Sequence, residues 1–427
     1  MSQPAKQHYR GLAGIRRAFA TPSALTMLFF GFGSGLPFLL VGGTLSTWLR
    51  DAGLSLGVIG LISYAGFFYV LKFLWAPLID RFALPLLGRR RGWLFVSQLL
   101  LAVALGGMAT LEPSTSTTLL VALVALASLA GATQDIVVDA YRIEIAPVEA
   151  QGALAATYTL GYRFGLILSG AVALYLAELF GWSTAYWCMA LVMLLPLIAV
   201  LFCREPEHNA QFVSRDHDVM TAFIGPFKSF FSHYGWALAL ALLVFVGLFK
   251  FPDQMIGVLA GPFYLDSGYS KADIATVSKI YGIWAGIAGA FLGGVCVAAF
   301  GIRWLLLVAA IAVAFSNLAF LLMAYYPSEQ WAFFAAITAD NVSQGFAGVV
   351  LIAFMSSLTQ RHFTATQYAL LVSLANLPGK FVGGISGFIV EASSYQAYFL
   401  FSALSVAPTL LLLIWLWPRI EMTGRNS

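Results

Sequence analysis

Twelve long apolar runs, separated by short turns that hold charges, glycines or prolines, follow one another along this chain. A run of about 20 apolar residues matches the hydrocarbon thickness of a bilayer, and a helix is the form in which such a run satisfies its own backbone. The runs fall at about 24–48, 57–79, 92–111, 117–141, 152–178 and 184–203, then at 234–262, 273–299, 302–325, 330–357, 364–391 and 395–418. Between the two sets lies the longest polar stretch, Arg204 to His233, with Glu205, Glu207, Asp216, Asp218 and Lys228. The pattern predicts an all-α integral membrane protein of 12 transmembrane helices in two six-helix bundles. Residues 1–203 form the first bundle with its polar tail, 204–233 a linker, and 234–427 the second bundle with a short tail.

Only 10% of the 427 residues are charged, against about 25% in soluble domains, which excludes a soluble enzyme. Where those charges sit sets orientation, because basic residues stay on the cytoplasmic side. Sixteen Lys and Arg fall on one set of alternate loops, four of them in the N-terminal tail and four after the second run, while the other side has only Arg50 and Lys271. Both termini and the linker are therefore expected in the cytoplasm. The net charge of +4 is topogenic rather than a nucleic-acid footprint. Met1 to Ala20 has no apolar core and does not read as a cleavable signal peptide.

Little in the chain suggests enzyme or metal chemistry. Cys188, Cys203 and Cys296 sit in or at the end of apolar runs without metal-binding spacing, and His8, His208, His217, His233 and His362 lie in tails or loops. Phosphate loops and HExxH are absent. We expect no cofactor, no metal and no enzymatic activity. The expected partners are protons, the lipid bilayer and a small solute, with the chain acting as a monomer.

Charges inside the apolar runs carry the functional information, since each costs about 2.5–3.5 kcal/mol at the bilayer centre unless it faces water or a partner. Five are basic, Lys72, Arg163, Lys250, Lys279 and Lys380; three are acidic, Asp135, Asp253 and Asp340, with Asp139 one turn beyond Asp135. The positive surplus favours an anionic, carboxylate-bearing solute. Asp135 and Asp139, one turn apart, suit proton carrying, and Asp253 is a further candidate. Lys72, Arg163, Lys250 and Lys380 are candidates for holding carboxylates, with Gln134 for amides or hydroxyls. Lys250 and Asp253 also read as a simple self-neutralising pair. Pro252 between them would loosen its helix and free carbonyls for a solute. Tyr64, Tyr69, Tyr158, Tyr162, Tyr281 and Trp284 are near enough to these charges to stack on a ring, although packing is the commoner role.

Trp75-Ala-Pro-Leu-Ile-Asp80-Arg81, followed by Gly88-Arg89-Arg90-Arg91, resembles the cytoplasmic loop between helices 2 and 3 of the major facilitator superfamily. Ala76 stands where a glycine is usual, and the stretch from Arg81 to Gly88 is longer. The resemblance implies the major facilitator fold and a gating role for Asp80, Arg81, Arg89, Arg90 and Arg91. Six blocks more narrowly resemble the anhydromuropeptide permease family: Gly31-Phe-Gly-Ser-Gly-Leu-Pro37, Tyr69-Val-Leu-Lys72-Phe-Leu-Trp75, Gly88-Arg-Arg-Arg-Gly-Trp93, Gln134-Asp-Ile-Val-Val-Asp139-Ala, Leu160-Gly-Tyr-Arg163 and Thr364-Ala-Thr-Gln367-Tyr-Ala-Leu. Their order is the same as in that family. The resemblance implies a secondary transporter of the bacterial inner membrane. It would import anhydromuropeptides from periplasm to cytoplasm with protons, feeding cell-wall recycling and beta-lactamase induction. It also implies that Lys72, Gln134, Asp135, Arg163, Lys250 and Asp253 fall on polar positions of a central cavity.

Two alternatives stay open. Muropeptide permeases often carry two helices beyond the twelfth, whereas little follows Pro418 here. Permeases of siderophore clusters, of the yersiniabactin and pyochelin type, are twelve-helix proteins of this length. A transporter-like sensor, signalling through Arg204 to His233, is the reading from a different class.

Overall fold

The computed structural model describes residues 21–82, 84, 87–145, 151–206, 228–300, 302–358 and 364–423. Helices account for nearly all of them. In chain order they are α1 (Pro22–Asp51), α2 (56–81), α3 (Arg89–Ala109), α4 (Thr117–Ile145), α5 (151–180), α6 (Trp182–Phe202), α7 (Trp236–Asp266), α8 (271–300), α9 (Ile302–Tyr325), α10 (Gln330–Leu358), α11 (Thr364–Ala392) and α12 (395–423). Among the described residues, ten helices are long and apolar enough to cross a membrane; the apolar part of α2, Leu56–Leu71, is shorter. Each helix overlies one of the apolar runs.

Packing divides the chain into two compact units. One comprises Met1–Leu45 and Leu71–Ser214, the other Ser46–Val70 and Arg215–Ser427. The turn joining α1 to α2 therefore belongs with the later helices, a grouping that chain order alone does not give.

In the first unit, α1 and α5 cross through glycines on both sides. A methyl at Gly31 or Gly35 would fall on the carbonyls of Tyr158 or Tyr162, and one at Gly161 or Gly165 on those of Leu28 or Phe32. Small residues spaced by four let two backbones touch, the usual device for helix packing in a solvent as apolar as leucine. Met27, Phe30, Leu94, Val137 and Tyr141 fill the adjoining core, where the Phe30 and Tyr141 rings meet edge to face at 5.2 Å. The Tyr186 hydroxyl donates to the Leu40 carbonyl (2.9 Å) and that of Thr44 to Ser169 (2.7 Å).

In the second unit, Pro252 lies inside α7, where it removes the N–H that would have bonded Leu248. The Thr409 hydroxyl takes the Leu248 carbonyl (3.1 Å), Ser402 takes that of Pro252 (2.9 Å), and Tyr398 that of Met255 (2.7 Å). The carbonyls expected to be offered to a solute are thus satisfied by α12, which holds the proline turn in place. Exposed Phe180, Phe202, Phe291, Phe315 and Leu411 are surfaces suited to lipid.

Candidate functional site

In the first unit, α4 carries Gln134 and Asp135 toward Ser34 of α1, Lys72 of α2 and Tyr158 of α5. The Lys72 ammonium stands 3.9 Å from Asp135 Oδ2, an open contact rather than a made hydrogen bond, with both side chains partly exposed. Gln134 is fully buried and donates through Nε2 to the Ser34 hydroxyl (3.2 Å). Two buried acceptors, Gln134 Oε1 and Asp135 Oδ1, have no hydrogen-bond partner. Unpaired acceptors are costly in an apolar interior and are expected where a donor arrives from outside the protein. The Trp75 indole donates to Thr133 Oγ1 (3.1 Å), fixing α2 beside this part of α4. The Tyr158 and Tyr162 rings lie 6.2 Å apart on the α5 side. Lys72, Gln134 and Asp135 are therefore brought together as the sequence suggests. Arg163 is exposed on α5, and Asp139 is exposed and faces Arg142 at 3.8 Å.

The second unit has its own polar centre. Lys250 and Asp253 line a cavity of about 100 Å³ with Gln344, walled by Phe249, Val313 and Leu351. Gln344 Nε2 donates to Asp340 Oδ1 (2.8 Å) and also faces Asp253, so one amide serves two carboxylates. Lys279 faces Asp340 from a π-helical stretch of α8, Ile274–Tyr281. Such wide turns commonly mark functional segments. Lys380 of α11 lies against Gly66, where an added methyl would meet its ammonium at 2.8 Å. The role of Gln344 is not visible in the sequence, because a lone glutamine in an apolar run reads as ordinary helix packing.

The arginine trio has partners that the pattern of basic residues does not show. Both oxygens of Glu144, at the end of α4, are taken: Oε1 by Arg89 Nη2 (2.9 Å) and Arg90 Nη2 (2.6 Å), Oε2 by Arg90 Nε (3.0 Å). Glu205 accepts the backbone N–H groups of Arg90 and Arg91 (2.8 and 3.0 Å) at the half-buried start of α3, a favourable place for an anion. Arg91 donates to the carbonyls of Val200 and Leu201 (3.0 and 2.7 Å). The trio is thus tied within its own unit. The side chains of Asp80 and Arg81, and those of the block from Thr364 to Leu370, lie outside what the structure describes.

A repeated turn escapes a reading based on apolar runs and buried charge. Asp51-Ala-Gly53-Leu-Ser55 joins α1 to α2, and Asp266-Ser-Gly268-Tyr-Ser270 joins α7 to α8. Gly53 and Gly268 both adopt positive φ, +83° and +86°, which glycine accepts without strain. Ser55 and Ser270 both cap the helix that follows. The two turns, which share the second unit, clasp each other. Arg50 Nε bonds Asp266 (2.6 Å), Lys271 bonds Asp51 (3.0 Å), and the Tyr395 hydroxyl donates to Asp266 (2.8 Å). Glu391 of α11 accepts the Gly57 N–H (2.9 Å) at the start of α2. Burial pushes the Tyr269 phenol up to about 12, so its hydroxyl remains a donor to the Glu329 carbonyl (2.8 Å). Comparing the two turns for D-x-G-x-S would have revealed that they are alike, though not that they clasp.

Among the described residues, no group of three or more His, Cys, Asp or Glu is placed to hold a metal. The polar centres lie inside a helical protein with many apolar helices, and comparison with known proteins gives its family. Residues 24–379 match the Major Facilitator Superfamily. The chain belongs to that superfamily. Within it, the anhydromuropeptide permease of Escherichia coli K12 is 35% identical over 413 residues, covering 96% of this chain and 83% of that protein. A Rickettsia conorii protein described as putative transporter AmpG 4 is 32% identical, covering 96% of this chain and 100% of that one. These relatives set the chain in the anhydromuropeptide permease family. A crystal structure of a D-xylose-proton symporter superposes with a TM-score of 0.70 at 15% identity, covering 93% of this chain and 97% of that one. A crystal structure of the peptide transporter POT in complex with sulfate gives 0.70 at 15%, covering 98% of each chain. The major facilitator fold is thereby established. The protein is a multi-pass membrane transporter and not an enzyme.

Proposed function

We propose that this transporter imports anhydromuropeptides from periplasm to cytoplasm in symport with protons, across a bacterial inner membrane with both termini in the cytoplasm. The observation that carries the coupling step is the open contact between Lys72 and Asp135, beside two unpaired buried acceptors. With Asp135 ionised, Lys72 is held by its charge. A proton arriving on Asp135 removes that attraction and frees the ammonium for a carboxylate of the solute. Gln134 Oε1 then accepts from an amide or hydroxyl of the same molecule, with Arg163 as a further anchor; Lys380, in the second unit, is a candidate for holding a carboxylate in its own right. Asp139 and Asp253 remain candidates for proton handling. The Asp253 cavity supports that role, since about 100 Å³ admits a few waters, whereas drug-sized solutes occupy some 300 Å³ or more. Lys250 on the same cavity suits charge balance as well as solute binding.

Alternating access requires a gate at each face. The crossed pairs Arg50–Asp266 and Asp51–Lys271 form the periplasmic gate in this reading, parting when the transporter opens outward. Asp80 and Arg81 serve the cytoplasmic gate, with Arg89, Arg90 and Arg91 as its anchored base.

The test is uptake of radiolabelled anhydromuropeptide by a permease-deletion strain expressing this chain, with and without a protonophore. Accumulation that the protonophore abolishes is expected. No uptake despite verified membrane expression would overturn the substrate, and uptake insensitive to the protonophore would overturn the coupling.

A further inference from the structure

Between the glycines of α1, one polar side chain remains to be explained. Gly31 and Gly35 are consumed by contact with the Tyr158 and Tyr162 backbones, and a methyl at Gly33 would strike Pro196 of α6. Ser34 sits among them, 3% exposed, on a backbone that these contacts hold from two sides. Its hydroxyl accepts from Gln134 Nε2 (3.2 Å) and also faces the Asp135 carboxylate and the Tyr158 hydroxyl. A serine has one proton to donate. With the amide of Gln134 already directed at its oxygen, that proton is available to Asp135.

From this placement, and resting on the proton-coupled reading above, we infer that Ser34 is the positioning residue for the proton on Asp135. When Asp135 is ionised, Ser34 donates to it and shares its charge with Lys72. When Asp135 takes a proton from water, its new O–H has the Ser34 hydroxyl oxygen as an acceptor facing it. The hydroxyl then reverses from donor to acceptor while Lys72 is released. Among the described residues, the other charged or titratable groups facing Asp135 are Asp139 on its own helix and Tyr158 and Tyr162 from α5. None of these gives the carboxylate a partner that reverses in this way while also holding Gln134.

A donor to the ionised carboxylate favours the ionised form, so removing it makes Asp135 keep its proton to higher pH. Ser34→Ala should move the pH midpoint of anhydromuropeptide uptake upward by about one unit. Ser34→Cys, which keeps the volume with only a weak donor, should move it the same way, and Ser34→Thr should return it toward wild type. The midpoint is read independently of the amount of protein, so poor expression does not imitate the shift. Infrared titration of the reconstituted protein supplies a readout that needs no solute: the carboxyl band lost in Asp135→Asn should titrate about one unit higher in Ser34→Ala and Ser34→Cys. Lower uptake in both variants with midpoint and band unmoved would overturn the role of Ser34 alone. Retention of the whole pH profile by Asp135→Asn would instead overturn the coupling reading beneath it.

Discussion

Asp135 and Glu144 lie nine residues apart on α4, about 14 Å along one helix, and could hardly be treated more differently. Glu144 has three guanidinium hydrogen bonds across its two oxygens. Asp135 has one ammonium at 3.9 Å and an oxygen with no partner. A saturated carboxylate exchanges protons only by giving up its bonds, and it anchors structure. An unsaturated one next to a cation can change charge without dismantling anything around it. In the proposed cycle, the carboxylate of this helix that works is the incompletely satisfied one, and charge alone does not mark it.

The contrast can be broken most forcefully at Glu144. Glu144→Gln leaves the guanidinium of the buried Arg90, only 4% exposed, without its counter-ion, and should destabilise the protein by about 3 kcal/mol. A lowered apparent melting temperature in detergent is expected, with the pH midpoint of uptake unchanged. A midpoint that moved as far as in Ser34→Ala would erase the distinction between the two carboxylates.

The clasp between the repeated turns tests the same idea at intermediate strength, since its ion pairs are well made but partly exposed. Arg50→Asp and Asp266→Arg should each bias the transporter by about 0.5–1 kcal/mol, seen as a roughly two- to fivefold change in counterflow rate. The double reversal should recover most of it. A double variant no better than the singles would remove the pair from gating.

Asp139 should matter least. It is exposed and faces Arg142, so Asp139→Asn removes only a screened negative charge near Asp135. The uptake midpoint should fall by a few tenths of a unit, opposite in sign to Ser34→Ala. A larger drop, or loss of coupling, would make Asp139 a proton carrier in its own right.

Much of this is legible in the chain itself. Helix positions follow from apolar runs that have no soluble solution, and Lys72, Gln134 and Asp135 stand out because polar groups are expensive in a bilayer. The partners are harder to see. Glu144 and Glu205 carry little topological weight, so a count of basic residues passes over them. Ser34 is hidden in a glycine-rich run whose plain reading is packing, which is indeed what its neighbours do. Pro252 marks a break in α7, but whether its freed carbonyls meet a solute or a neighbouring helix depends on Ser402 and Thr409, some 150 residues away. No local pattern encodes that choice.

Proton entry driven by solute is the event that Asp135 is proposed to couple. Proteoliposomes holding a trapped pH indicator and no imposed gradient are given external anhydromuropeptide, with wild type and Asp135→Asn side by side. Internal acidification with wild type and none with Asp135→Asn, which still exchanges labelled for unlabelled solute, is the result expected. Equal acidification by both proteins would contradict the account.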